Sequence, residues 1–233
     1  MNAKKAKIIC TTVLVERSPQ ALPLGAACVA SAIKNSPLTK DFCEVLLECF
    51  YPSDSEAVIA ESLLEEFFKD DDKSLVRVCA FSVFVWNRLV LEKVAAALRE
   101  KGVICIAGGP EITARLRDNG NRLDGGARLD EVECADNGDR PAWDSSFDYV
   151  VSDEGEISVP RLIKEIVEKK GHTSSSLLSL EHGGQSSSPQ LSEDSYPSPY
   201  LDGTINPDDF GGVLWELARG CPFKCSYCYE SKG

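Results

Sequence analysis

Histidine is nearly missing from this chain: its 233 residues include two, His172 and His182, and none precedes them. Residues 1–171 therefore supply no imidazole as a metal ligand or a general base. Positive charge is also scarce. Lys and Arg number 25 against 37 Asp and Glu, a net charge of -12, whereas binding along a phosphate backbone needs clustered cations. No nucleic-acid groove is expected. No stretch approaches the roughly 20 consecutive apolar residues of a membrane helix. The N-terminal lysines lead into a short apolar run broken by Glu16 and Arg17, which is not a secretory leader. The expectation is a soluble, cytoplasmic protein with no membrane partner. No internal repeat is evident.

Cysteine is plentiful, with ten residues. Seven of them, Cys10, Cys28, Cys43, Cys49, Cys79, Cys105 and Cys134, stand singly, mostly in apolar segments, where a thiol behaves as a small hydrophobe. Without close-set pairs or a leader, a secreted disulfide framework ranks low. The other three, Cys221, Cys225 and Cys228, form a CxxxCxxC run at the end of the chain.

The rest reads as an alternating β/α series. Residues 7–15 are apolar without clean alternation, as in a strand covered on both faces. Residues 24–33 are Ala-rich and opened by Pro23, which predicts a helix. Residues 43–50 give a second strand. Residues 56–69 give a helix whose Val58, Ile59, Leu63, Leu64, Phe67 and Phe68 recur at helical spacing. A β-branched and aromatic strand follows at 75–85, then a helix at 89–101 stopped by Gly102. A fourth strand at 103–107 runs into Gly108, Gly109 and Pro110, and a fifth at 147–151 precedes a helix from about 158 to 170. Five strands with intervening helices predict an α/β domain over residues 1–171. Its sheet should be parallel and doubly wound, of Rossmann or flavodoxin type. A polar stretch at about 115–146 reads as an exposed insertion. Residues 172–211, rich in Ser and Pro, read as a linker, and residues 212–217 as a strand feeding the cysteines.

Candidate ligand contacts gather at one end of this sheet. Leu24 and Gly25 open the first helix. Ser82 and Asn87 follow the third strand, Gly108, Gly109 and Pro110 the fourth, and Glu154 and Gly155 the fifth. These are carboxyl ends of predicted parallel strands, where open α/β sheets bind ligands. Glycine there lets a flat ligand approach the backbone. Each residue also has a plainer role: Gly108 and Gly109 suit a tight turn, Glu154 and Glu156 suit a helix N-terminus, and Trp86 suits core or edge packing ahead of stacking on a ring. The run Asp70, Asp71, Asp72 is a solvated helix end.

Three thiolates can hold a four-iron cluster while leaving one iron open to a small molecule. A structural zinc site would call for a fourth Cys or His close by, and both histidines lie in the linker. A ferredoxin-type cluster would call for CxxC pairs and a fourth cysteine, for which Cys134 is the remaining candidate. Both rank below the open cluster.

The cysteines and their setting, from Glu216 through Arg219, Gly220 and Pro222, with Tyr227 between the last two cysteines, resemble the cluster loop of radical S-adenosylmethionine (radical SAM) enzymes. The resemblance covers about residues 213–233, with Ala218 where Ser is frequent. It implies that Cys221, Cys225 and Cys228 bind three irons of a 4Fe-4S cluster, that S-adenosylmethionine chelates the fourth, and that Tyr227 packs beside the adenine. It also implies an electron donor such as a flavodoxin or ferredoxin. The residues at the strand ends resemble those of the cobalamin-binding domain that precedes many radical SAM barrels. That likeness implies cobalamin (vitamin B12) contacts at Leu24, Gly25, Ser82, Asn87, Gly108, Gly109, Pro110, Glu154 and Gly155. One departure matters. The DxHxxG histidine of some cobalamin domains has no counterpart here, so cobalt must be bound without a protein imidazole, or the fold persists without the cofactor. For an intact family member the resemblance implies radical chemistry on an unactivated carbon, methyl transfer through methylcobalamin first and ring rearrangement second. Five residues follow Cys228, so residues 212–233 read as the start of a truncated radical SAM domain. The alternative is a non-catalytic corrinoid-binding or interaction module with a vestigial cluster loop.

Overall fold

β1 (Ala6–Val13) is buried at every position, as its unbroken apolar run predicts. The computed structural model describes residues 5–70, 72–114, 146–151, 154–169 and 196–216. β1 sits inside a five-stranded sheet between β2 (Cys43–Phe50) and β3 (Val76–Ser82), followed by β4 (Ile104–Gly108) and the short edge strand β5 (Tyr149–Val150). The order is β2-β1-β3-β4-β5 and every pairing is parallel. Ser82 lies opposite Gly108 at the carboxyl edge.

Successive side chains point to opposite faces of the sheet. Ile9 and Val13 enter a core with α2 (Glu56–Phe68) and α3 (Arg88–Glu100), while Ile8 and Cys10 enter a core with α1 (Leu24–Asn35) and α4 (Gly155–Glu168). Both faces are therefore covered, the doubly wound arrangement the series predicts, and this is why the strands do not alternate in polarity. The helix boundaries follow local chemistry. Ser55 caps α2, its Oγ accepting from Val58 N at 3.4 Å. α3 ends at Gly102, whose φ of 82° lets Val103 N return to Leu98 O at 3.2 Å. α4 starts at Gly155, earlier than its apolar spacing predicts, because the Glu154 carbonyl already accepts from Ile157 and Ser158.

Two polar groups sit inside this framework. Lys7 on β1 is 1% exposed, and its Nζ donates to Glu66 Oε1 at 2.9 Å and to Glu66 O at 2.7 Å. Paired and near the carbonyl end of α2, its charge is compensated twice. The Thr11 hydroxyl on the same strand is buried and has no hydrogen-bond partner among the described residues.

Residues 196–211, part of the stretch read as a linker, lie against α1 and include one helical turn, α5 (Pro207–Phe210). Beyond them residues 213–216 are exposed and have no regular secondary structure, where the sequence predicts a strand. A strand needs a lateral neighbour for its N–H and C=O groups. The cross-link here is to a side chain: Leu214 N donates to the Tyr200 hydroxyl at 3.1 Å, which donates to Leu214 O at 3.0 Å. Among the described residues no helix is long and apolar enough to cross a membrane.

Candidate functional site

The carboxyl ends of β3, β4 and β5 open onto a cleft of about 540 Å³, on the side of the sheet that carries α1 and α4. Cys10, Ala80, Ile106 and Val159 form its apolar floor and are continuous with the core beneath it. The walls come from Gly25, Ala26 and Val29 on α1, from Ser82 at the end of β3 and Phe84 beyond it, and from Gly108 at the end of β4 with Gly109 and Pro110 beyond it. Val151, Glu154, Gly155 and Glu156 complete the β5 side, and Glu216 reaches the cleft from the C-terminal segment.

Two glycines in this wall admit close packing of neighbouring elements. Gly109 has φ 104°, and a Cβ there would meet Val83 O at 2.8 Å. L-residues avoid that conformation, so glycine is required on both counts. Gly155 lets α4 approach α1: a Cβ there would meet Val29 Cγ2 at 2.8 Å. Gly25 has open space where a side chain would project.

The charge in the lining is of one sign. Glu154, Glu156 and Glu216 contribute carboxylates, and among the described residues of the lining none is Lys or Arg. Such a wall repels phosphate-rich ligands and suits one that offers amide donors or positive charge. The floor is neutral. Burial pushes the Cys10 thiol up to about 12, so it remains protonated at neutral pH. Burial also holds Cys79 and Cys105 well above the ordinary thiol value. Among the described residues no group of three His, Cys, Asp or Glu side chains is placed to hold a metal, and none of the described cysteines is in a disulfide.

Of the residues singled out by sequence, Gly25, Ser82, Gly108, Gly109, Pro110, Glu154 and Gly155 converge on this cleft. Leu24 adjoins it at the first position of α1. Asn87 does not line it. Its amide is buried and fully engaged, Oδ1 accepting from Phe84 N at 2.8 Å and Nδ2 donating to Val13 O at 3.0 Å and Thr12 Oγ1 at 3.1 Å. Asn87 thus ties the end of β1 to the turn after β3. That turn holds Trp86 half exposed, its indole N–H donating to Val13 O at 3.0 Å and its ring stacked on Phe84 at a centroid distance of 4.5 Å. Tyr227, Cys221, Cys225 and Cys228 lie outside the described residues, as does Cys134. Sequence reading missed Ala26, Val29, Phe84 and Glu216. The small residues at one end of α1 were a usable signal for the first two, and Glu216 stood out only as part of the setting of the cysteines, with nothing local to place it at the cleft.

Two curated proteins are similar to this chain. It is 28% identical over 171 residues to a 2-(S-pantetheinyl)-carbapenam-3-carboxylate methyltransferase of Streptantibioticus cattleyicolor, a match covering 65% of this chain and 21% of that protein. It is 27% identical over 169 residues to the cobalamin-dependent radical SAM methyltransferase TokK of Streptomyces tokunonensis, again 65% of this chain and 21% of that protein. The chain spans about a fifth of the length of these relatives. No protein-family model and no solved structure matches it.

Proposed function

We propose that this chain is the cobalamin-binding part of a radical SAM methyltransferase and that the cleft at the carboxyl edge of the sheet takes the corrinoid. The observation that carries the reading is the convergence of strand-end residues, chosen from sequence alone, on one cleft that is apolar at its base and acidic at its rim. That lining fits the group. Gly108 and Gly109 line the cleft without side chains, the floor accepts an apolar base, and the carboxylates and Ser82 can pair with the amide arms of a corrin. The stacked, half-exposed Trp86 offers an aromatic platform beside the opening.

Domain organisation follows from this reading. Residues 1–171 bind the corrinoid, the insertion at about 115–146 departs from them, and residues 212–233 begin the radical SAM part. There Cys221, Cys225 and Cys228 hold a 4Fe-4S cluster, with Tyr227 beside S-adenosylmethionine. Bound together, these cofactors supply radical generation and a transferable methyl group. The names of both relatives support methyl transfer, and that of the second supports cobalamin and radical SAM chemistry. With no histidine in residues 1–171, this domain leaves cobalt without an imidazole. A flavodoxin or ferredoxin supplies the electron.

Titration of the chain with hydroxocobalamin tests the cleft: a saturable shift in corrin absorbance is expected, and its absence refutes corrinoid binding. Anaerobic reconstitution with iron and sulfide tests the cysteines. Cys225→Ala should lose the brown chromophore and bound iron, and unchanged iron content would sink the ligand assignment.

A further inference from the structure

Residues 196–216 are held to the domain by contacts that a connecting segment does not need. Ser31, Lys34 and Asn35 lie one helical turn apart on the side of α1 turned away from the sheet, and all three bond to this segment. Ser31 Oγ donates to Asp202 Oδ2 at 2.6 Å, Asn35 Nδ2 donates to the same oxygen at 2.7 Å, and Lys34 Nζ donates to Thr204 Oγ1 at 3.1 Å. Asp202 Oδ1 in turn accepts from Thr204 N at 2.9 Å, closing the turn around the carboxylate. Ile205 beside it is 2% exposed.

Both ends of the segment then return to the cleft. At one end the Tyr196 hydroxyl donates to Glu154, a residue of the cleft wall. At the other, Gly212 presses on the loop before α1, where a Cβ would meet Pro19 O at 2.9 Å, and Glu216 reaches the lining.

We propose that residues 196–216 form a strap, anchored on α1 through Asp202, that completes the wall of the cleft and holds its two rims together. Asp202 is a positioning residue in this scheme: it touches α1, and it acts on the cleft through Glu154 and Glu216. The strap also limits where the following chain can run, since four residues lie between Glu216 and Cys221, five steps that span at most about 18 Å fully extended. The claim concerns the cleft whatever fills it, and only the corrinoid arm of the test rests on the function proposed above.

Hydrogen–deuterium exchange of the whole chain, without ligand, decides it. In the wild type, peptides from 196–216 should be protected. In Asp202→Ala they should exchange roughly tenfold faster, the loss expected for hydrogen bonds to a charged group, and cleft peptides from 24–31 and 154–160 should accelerate with them. Asn35→Ala, at the exposed end of α1, should give the same pattern more weakly and covers the case in which Asp202→Ala fails to fold. Unprotected wild-type strap peptides, or a faster strap over unchanged cleft peptides, would overturn the proposal. In the second arm, hydroxocobalamin should further protect the wild-type strap and leave Asp202→Ala several-fold faster in corrinoid release. If no corrinoid binds while the ligand-free pattern holds, the corrinoid reading fails and the strap stands. If corrinoid binds and leaves both variants at the wild-type rate, the strap is no part of the wall.

Discussion

The two faces of the sheet share the same strands but differ at their carboxyl ends. On the α2 and α3 face, Phe50, Phe67, Phe81 and Phe147 join Ile59, Leu63, Leu91 and Leu98 in a closed core, with Phe81 and Phe147 in edge-to-face contact at 5.6 Å. At the carboxyl end of the α1 and α4 face, Gly25, Ala26, Ala80, Gly108 and Gly155 stand among the residues that bound the corresponding space, with larger ones such as Phe81, Phe84 and Ile106. Large side chains interdigitate and close one layer, while small ones leave the other parted. The α1 and α4 face keeps its own buried core of Ile8, Ile33, Leu162, Ile163 and Ile166 below the cleft, so both faces supply stability and one of them also supplies room.

Four measurements would sharpen or break this contrast. The largest stability effect is expected from Gly109→Val at the cleft rim. A β-branched residue there combines a forbidden backbone conformation with a clash on Val83 and should cost about 4 kcal/mol in denaturant unfolding. Next comes Leu63→Ala on the closed face, fully buried, which should cost about 3 kcal/mol while the folded fraction keeps its corrinoid affinity. A matching loss of affinity would contradict the division of labour. Gly25→Phe should do the reverse. Nothing obstructs a side chain at that position, so stability should change by less than about 1 kcal/mol, while corrin titration should show at least a roughly tenfold weaker complex as the ring enters the cleft.

The smallest effect is expected from acid. Burial opposes ionisation of Asp202, but hydrogen bonds from Ser31, Thr204 and Asn35 outweigh it and hold the carboxyl below the ordinary aspartate value. Because the folded value lies below the unfolded one, the strap's contribution is complete above the unfolded value and fades as pH falls through the folded value. Lys34 is the cation bonded to the strap, through Thr204. Protection of the strap should therefore fall below about pH 4, before the closed face responds. A strap that remains protected there would place its anchor elsewhere than on this carboxylate.

Much of the fold was legible because its signals are local. The helical spacing of Ile59, Leu63 and Phe67, the stop at Gly102 and the unbroken apolar run of β1 each follow from a few neighbouring residues. The third strand ended earlier than its composition implied, at Ser82, because Phe84 turns back onto Asn87. The cleft was legible as a place, since strand ends are where parallel sheets bind. Individual side chains in it were less so. Asn87 was read as a ligand contact, and the described structure commits its amide to Thr12 and Val13, partners 75 and 74 residues away. Nothing local placed Glu216 at the cleft, because its role depends on the course of the segment before it.

The sequence by itself determined the β/α alternation, the glycines at the strand ends and the CxxxCxxC spacing. These depend on backbone stereochemistry and on short-range periodicity, which neighbouring residues set. Tertiary structure alone decided which face of the sheet stays open, that residues 196–216 are docked, and that Asp202 meets Ser31 across 171 positions. Such contacts depend on how elements far apart in the chain pack, and no local pattern records that.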